Sequence, residues 1–468
     1  MLIPFSSFAG ALVDPATESA ANPTGLAFTV LMGVLLVTLP RRYALIPIIV
    51  LTCFMSMGQA IVIMGFHFMM IRILVLFGWA RLIVRREVTS LKFNVIDKLL
   101  IWWTVSSVLL NTLLWQTLDA LTNRLGFAYN ALGMYFLFRF LVRDFDDIKR
   151  VFKITAFLIA PLAAAMITEK LSGRNMFAVW GDVDPLTTVR DGVARCQGPF
   201  AHPILAGTFG ATLLPFVVNL WHEGGQKRVL SVLAVISSTV IAVTSGSSGP
   251  ILAYLAAVAA LCMRPWRKYL PFAGRVFAIG LIALHLVMKA PVWFVIARID
   301  IFSGSTGFHR AYLIDQAIAH FSDWWLLGTK SIDSWGQDQL HGDITNEYIS
   351  QGVRGGLLTM VLFILIIVVC FRIVGRLQAY KDLPIAMRTC AWALGAALFA
   401  HVLSYLSVSY FDQNLVIWYL LLAMISSTLA ASAAIRHRER GRRPHVSANA
   451  KVDYEASGLS PVPFFEVQ

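Results

Sequence analysis

Charge is what this chain has least of. Asp, Glu, Lys and Arg make up 14% of its 468 residues, while 57% are hydrophobic. A soluble domain carries about a quarter charged residues. Too few polar side chains remain to cover a water-facing surface, so a soluble globule is excluded. Cysteine is scarce as well. Of five, Cys53, Cys262, Cys370 and Cys390 fall in or beside apolar runs and Cys196 alone in a loop, which excludes a disulfide framework. There is no Cys-x-x-Cys pair and no His-rich set, so no structural metal site is expected and no cofactor is assigned. The first 22 residues hold no Lys or Arg, so the positive region of a cleavable signal peptide is missing.

What the chain does have is long apolar runs. A helix needs roughly 20 apolar residues to cross a bilayer. By that ruler, spans are expected near 25–40, 43–60, 63–82, 95–115, 122–142, 149–168, 200–221, 228–245, 248–263, 270–288, 353–374, 387–408 and 413–435. The expected fold is an all-α polytopic bundle of thirteen helices, the least secure division being Met57–Ala60 between the second and third.

A net charge of +13 would suit nucleic acid, but the basic residues fall in short clusters between apolar runs, where they act as topology signals. Alternate connections at 41–42, 81–98, 139–153, 222–228, 264–275, 372–388 and the C-terminal tail hold 28 of the 39 Lys and Arg residues against 11 acids. The positive-inside rule makes that side cytoplasmic. The N-terminus is then outside and the C-terminus inside, with membrane lipid rather than nucleic acid as the surrounding partner.

The division along the chain follows. Residues 1–288 read as a helix bundle with a long outer loop at about 169–199, and 289–352 as a second outer loop region carrying the candidate site. Residues 353–435 read as C-terminal membrane helices and 436–468 as a basic, disordered cytoplasmic tail. Loops above about 15 residues are commonly functional or disordered. The second holds Trp293, Trp324, Trp325 and Trp335, and an amphipathic helix from Phe308 to Phe321 with Leu313, Ile314, Ala317, Ile318 and Phe321 on one face.

The outer loops also concentrate ionisable groups. Arg174, Arg190 and Arg195 stand beside Asp182, Asp184 and Asp191; Arg298, Arg310 and Lys330 beside Asp315, Asp323, Asp333, Asp338, Asp343 and three histidines. Arginine binds phosphate through two parallel hydrogen bonds, and tryptophan can stack on a sugar or sit at the headgroup boundary. Such a set suits a substrate bearing phosphate and sugar; solvated charges pairing with one another are the plainer reading. Asp182-Val-Asp184 matches the metal-holding pattern of nucleotide-sugar transferases, but on the side where nucleotide sugars are not expected. Asp144-Phe-Asp-Asp147 reads as a solvated cytoplasmic connector. Arg72 falls within a span, where it either snorkels or binds a lipid pyrophosphate. His285 and His401, on apolar helices, read as buried packing residues.

Two stretches resemble the O-antigen ligase and polymerase superfamily of bacterial surface-polysaccharide assembly. One is Arg195-Cys-Gln-Gly-Pro-Phe-Ala-His202-Pro-Ile-Leu-Ala206. The other is Gly307-Phe-His309-Arg310, the amphipathic helix, Trp324-Trp-Leu-Leu-Gly328, and Asp343-Ile-Thr-Asn346-Glu347-Tyr348 through Gly355-Gly356. Thr244-Ser-Gly-Ser-Ser-Gly-Pro250 is similar to the family's Ser-Arg-Gly turn without its Arg. The resemblance covers 190–375 in motif detail.

It implies glycosyl transfer from an undecaprenyl-pyrophosphate-linked oligosaccharide at the outer face of the inner membrane, by a polymerase or ligase, together with other polysaccharide assembly proteins. Arg195 and Arg310 would meet the leaving pyrophosphate. His341, Asn346, Glu347, His309, His202 and Arg72 would line substrate. Thr345 stands where the family has its His, and Thr has no group titrating near neutrality. The base is therefore expected at Asp343, with His341 as the alternative. A transporter or lipid-glycan flippase, or a non-catalytic assembly partner, remains open beside the enzyme.

Overall fold

The computed structural model describes residues 21–63, 66–298, 307–336 and 344–442. The chain is helical almost throughout. In order come α1 (Pro23–Thr38), α2 (Leu45–Phe54), the hairpin β1 (Ala60–Ile63) and β2 (Phe66–Met69), α3 (Met70–Val84), α4 (Val95–Trp115), α5 (Leu118–Leu141) and α6 (Phe145–Ser172). A second hairpin, β3 (Thr188–Arg190) and β4 (Val193–Arg195), precedes α7 (Pro203–Asn219), α8 (Gln226–Thr244), α9 (Ser248–Cys262) and α10 (Leu270–Val287). The chain closes with α11 (Gly307–Ala319), α12 (Phe321–Trp324), α13 (Glu347–Ala379), α14 (Ile385–Ser404) and α15 (Gln413–Arg442).

Every stretch expected to span contains a helix, but the count of thirteen does not hold. Among the described residues eight helices are long and apolar enough to cross a membrane. Four of the others are too short. α1 has 16 residues, which at 1.5 Å each covers about 24 Å of a bilayer core about 30 Å thick. α2 has 10, α3 15 and α9 15. The region 43–69 is where the ruler fails most: α2 stops at Phe54 and an antiparallel hairpin follows, pairing Ala60 with Met69 and Ile63 with Phe66. The β-branched run Ile61-Val62-Ile63 favours extended chain, a preference that mean apolarity does not register. α5 is long enough at 24 residues, but Asp119, Asn123, Arg124 and Asn130 interrupt it.

α7 is the central element. It packs on α8, α9 and α14, while α13 lies along α4, and α15 against α5. α10 has no buried residue, so its apolar surface faces whatever surrounds the bundle.

Several polar residues buried among these helices are paired. Asp97 on α4 accepts from Arg139 Nε at 3.2 Å and from Asn94 N at 2.8 Å, and it also receives Tyr135 Oη. Arg139 also donates to Ser427 Oγ on α15 at 3.1 Å. Arg81, fully buried, pairs with Glu87 at 2.7 Å and donates to the Leu36 and Leu39 carbonyls at 2.6 Å. The Asp144–Asp147 connector is not merely solvated: Asp144 caps α6 through Asp147 N at 2.8 Å, and the buried Asp147 carboxylate binds Arg41 at 2.9 Å. His401 is buried against Tyr410 Oη at 2.8 Å as expected. His285 is exposed, stacks on Trp293 and accepts from Val292 N at 3.2 Å. α10, on which it sits, offers no neighbour to bury it.

Candidate functional site

The first candidate, Arg195, is positioned by a hairpin. Asp191 and Gly192 both have positive φ, 52° and 76°, at its tip, the arrangement of a two-residue turn that returns the chain without splaying its strands. The Asp-Gly pair was the available sequence signal for it. The strand then runs into a loop fixed by Glu169, buried at the end of α6, whose carboxylate accepts from Gln197 N at 3.0 Å and Gly198 N at 2.9 Å. Cys196 N donates to the Thr244 carbonyl at 3.0 Å, docking the strand on the 244–250 turn. Gly246 there has φ 55°, and an added Cβ would sit 3.0 Å from Arg195 Cγ. Glycine lets the turn wrap the arginine stem.

In this setting Arg195 is 8% exposed. Its Nη2 donates to Ser247 Oγ at 2.7 Å, and its Nε has no hydrogen-bond partner. Arg310 reaches the same turn from the other side. It lies on α11 at 5% exposure, its Nε also without a partner. A Cβ placed on Gly249 would lie 2.6 Å from Ser407 Oγ and 3.8 Å from an Arg310 Nη2. Glycine there lets Ser407 pack directly against the turn beside the guanidinium. The buried face of α11 is Arg310, Ala311, Leu313 and Ala317. Ile318 and Phe321, expected on that face, are exposed at 53% and 43%. Arg310, three and seven residues before Leu313 and Ala317, shares their face and is buried with them, whereas Phe321 lies beyond the end of α11.

Among the described residues the two arginines have neighbouring positive charge and no paired acid. Burial, followed by Arg195 and Arg190, lowers the Arg310 guanidinium to about 10. Burial and then Arg190 lower Arg195 as well. The same pair adds to burial in lowering His202 to about 4, so this imidazole is neutral at pH 7. Its Nδ1 accepts from Ile204 N at 3.1 Å as the cap of α7. Among the described residues, no carboxylate pairs with Arg195 or Arg310. Burying unpaired charge costs several kcal/mol, and two fixed guanidinium groups of this kind are suited to binding phosphate oxygens.

The remaining candidates divide. Asn346 and Glu347 are buried staples at the start of α13. Asn346 Oδ1 accepts from Ile349 N at 3.2 Å, and Glu347 accepts from Tyr410 N at 2.8 Å and Gln351 Nε2 at 2.6 Å. Trp103 Nε1 in turn donates to Gln351 at 3.0 Å, so this chain of bonds joins α4, α13 and the 404–412 connection. Those contacts assign both residues to positioning. Gly355-Gly356 and the Trp324–Gly328 stretch also form one structural feature. α13 breaks at Gly356, φ 67°, where a Cβ would come within 2.3 Å of the Leu326 carbonyl oxygen, and Leu357 N donates to Trp325 O at 2.8 Å. His309 is half-buried one residue before Arg310. Arg72 belongs to another part of the bundle: its Nε donates to Asn130 Oδ1 on α5 at 3.1 Å. His341 and Asp343 lie outside the described residues. Thr345 Oγ1 is buried without a hydrogen-bond partner.

One group escaped the sequence reading. Asp412, between α14 and α15, is raised to about 7 by burial and by Asp182. Asp182 itself accepts from Gly58 N at 2.7 Å. Nothing in the local sequence joins residues 182 and 412; only packing does. The Asp-x-Asp pattern therefore has a structural use for its first member. Among the described residues no cluster of three or more His, Cys, Asp or Glu forms a metal site.

Fold and site together define a helical membrane protein with two buried arginines that meet on a serine- and glycine-rich turn and have no paired acid among the described residues. No protein-family model and no curated protein matches the sequence.

Proposed function

We propose that the chain is a membrane glycosyltransferase of the polymerase or ligase type. It would join undecaprenyl-pyrophosphate-linked glycan units in O-antigen or exopolysaccharide synthesis at the outer face of the inner membrane. The observation that supports this reading best is the convergence of Arg195 and Arg310 on the 244–250 turn with no carboxylate paired to either among the described residues. These are the three sequence features on which the resemblance rests.

In this reading the pyrophosphate of the donor lipid sits between the two guanidinium groups, with Ser247 and Ser407 beside it. An acceptor hydroxyl attacks the anomeric carbon as the sugar–phosphate bond breaks. The electron pair leaves with the pyrophosphate, whose growing charge the fixed arginines stabilise. Asp343 takes the proton of the attacking hydroxyl. The basic connections face the cytoplasm, which directs the arginine end outward.

The test is reconstitution in lipid nanodiscs with the native lipid-linked repeat unit, following product length on a gel. A ladder that weakens about 100-fold in both Arg195→Ala and Arg310→Ala is expected from loss of a transition-state donor. Asp343→Asn should abolish it. If native repeat units give no product in nanodiscs but cross the bilayer of sealed proteoliposomes, a flippase replaces the enzyme; neither product nor crossing leaves an assembly partner.

A further inference from the structure

A second basic cleft lies elsewhere in the bundle, where the C-terminal end of α4 meets the N-terminal end of α5. It is lined by Arg124, Lys330 and Arg354 with Asn111 and Trp115, and among the described residues by no acidic one. Arg124 Nε is buried and makes no hydrogen bond. Its guanidinium lies 5.8 Å from the centre of the Phe127 ring, and Lys330 Nζ lies 5.6 Å from that of Trp115. Asn111 Nδ2 is used in donating to the Arg354 carbonyl at 2.9 Å, which fixes one wall. Glu347, the acid nearest in effect to Arg354, already receives Tyr410 N and Gln351 Nε2. The cleft shares no lining residue with the Arg195–Arg310 site.

An apolar groove runs along the same helix. Ala128, Leu132, Phe136 and Phe140 of α5 line it, opposite Trp79, Phe93 and Ile101, and its volume is about 800 Å³. Arg124 lies one helical turn before Ala128, which stands at that end of the groove lining. A cationic head position above an aromatic-walled groove is complementary to a molecule with an anionic end and a hydrocarbon chain. A loose apolar patch would not require three cations at one end.

We propose that this is a lipid site. It takes an anionic membrane phospholipid with its phosphate among Arg124, Lys330 and Arg354 and one chain along the α5 groove. The inference does not depend on the transfer reaction proposed above.

The test uses the full chain in nanodiscs containing phosphatidylglycerol or, with the same chains, phosphatidylcholine. After exchange into detergent, retained lipid is counted by native mass spectrometry. Wild type should keep phosphatidylglycerol in preference to phosphatidylcholine. Loss of one charge-assisted contact costs about tenfold in affinity, so Lys330→Gln should weaken retention by about that factor. Its side chain is exposed, and the variant does not put folding at risk. Arg124→Gln/Arg354→Gln should abolish retention, Arg354→Lys should partly restore it, and Ala128→Phe should displace the chain and reduce it. Arg310→Gln should retain the lipid as wild type does. Equal retention of the two lipids, or retention unchanged by both Lys330→Gln and Ala128→Phe, would overturn the proposal. Loss of retention in Arg310→Gln alone would place the lipid in the other site and overturn it equally.

Discussion

Replacing Arg310 by Met should make the protein more stable and unable to bind pyrophosphate. The guanidinium is 5% exposed, with no acid paired to it among the described residues, and is lowered from 12.5 to about 10 by burial, Arg195 and Arg190. For a base whose folded value lies below its unfolded one, the charged form is disfavoured by folding. The penalty is complete at pH 7 and fades only as pH rises through about 10. At about 1.4 kcal/mol for each pH unit, it is on the order of 3 kcal/mol. Met has a similar volume, and replacing buried charge by apolar residues is commonly neutral or stabilising by about 1–4 kcal/mol. The apparent Tm of the variant in detergent should rise by a few degrees. Pyrophosphate should raise the Tm of the wild type, by the equivalent of about 2.7 kcal/mol at a hundredfold excess over Kd, and leave the variant unmoved. A variant that melts several degrees lower would identify Arg310 as a structural cation. A variant that still responds to pyrophosphate would remove it from the binding site.

The opposite result is expected at Asp97, where the buried charge has its partner. Asp97→Ala leaves Arg139 unpaired at 4% exposure, and should cost about 3–5 kcal/mol, read as a lowered Tm. Asp412→Asn should stabilise the protein at high pH. The carboxyl is raised from 3.8 to about 7, so its ionisation weakens the fold progressively from about pH 4 to 7; Tm values of variant and wild type should converge at pH 4 and differ most at pH 8. His202 is lowered to about 4. Its protonation therefore weakens the fold as pH falls from 6.5 toward 4, so the Tm of wild type should drop over that range more steeply than that of His202→Asn. Gly356→Ala meets both a positive φ and a carbonyl oxygen at 2.3 Å, and its loss of Tm should exceed that of Gly375→Ala, around which there is open space.

How much could be read in advance depends on the range of the interaction involved. Apolar runs report where helices form because burial from water depends on composition summed over a window, and each of the thirteen stretches contains one. They do not report where a helix stops. The hairpin after α2 and the polar breaks in α5 depend on a few residues each, and so thirteen expected spans become eight long apolar helices. Arg195 and Arg310 stand out by residue type and spacing, yet their distinguishing property is that, among the described residues, neither has a paired acid. Arg310 has Asp315 five residues away in sequence; in the structure Asp315 instead accepts from Trp293 Nε1 at 3.2 Å.

The sequence by itself determined that this is a helical membrane chain, where its basic connections lie, and which arginines to watch. Those conclusions follow from composition and local pattern. Tertiary structure alone decided that residues 195, 247, 249, 310 and 407 meet, that Asn346 and Glu347 act as staples, and that Asp412 is close enough to Asp182 to be held near neutrality. Electrostatic coupling falls off over a few ångströms of space, whereas these residues are separated by tens to hundreds of positions along the chain.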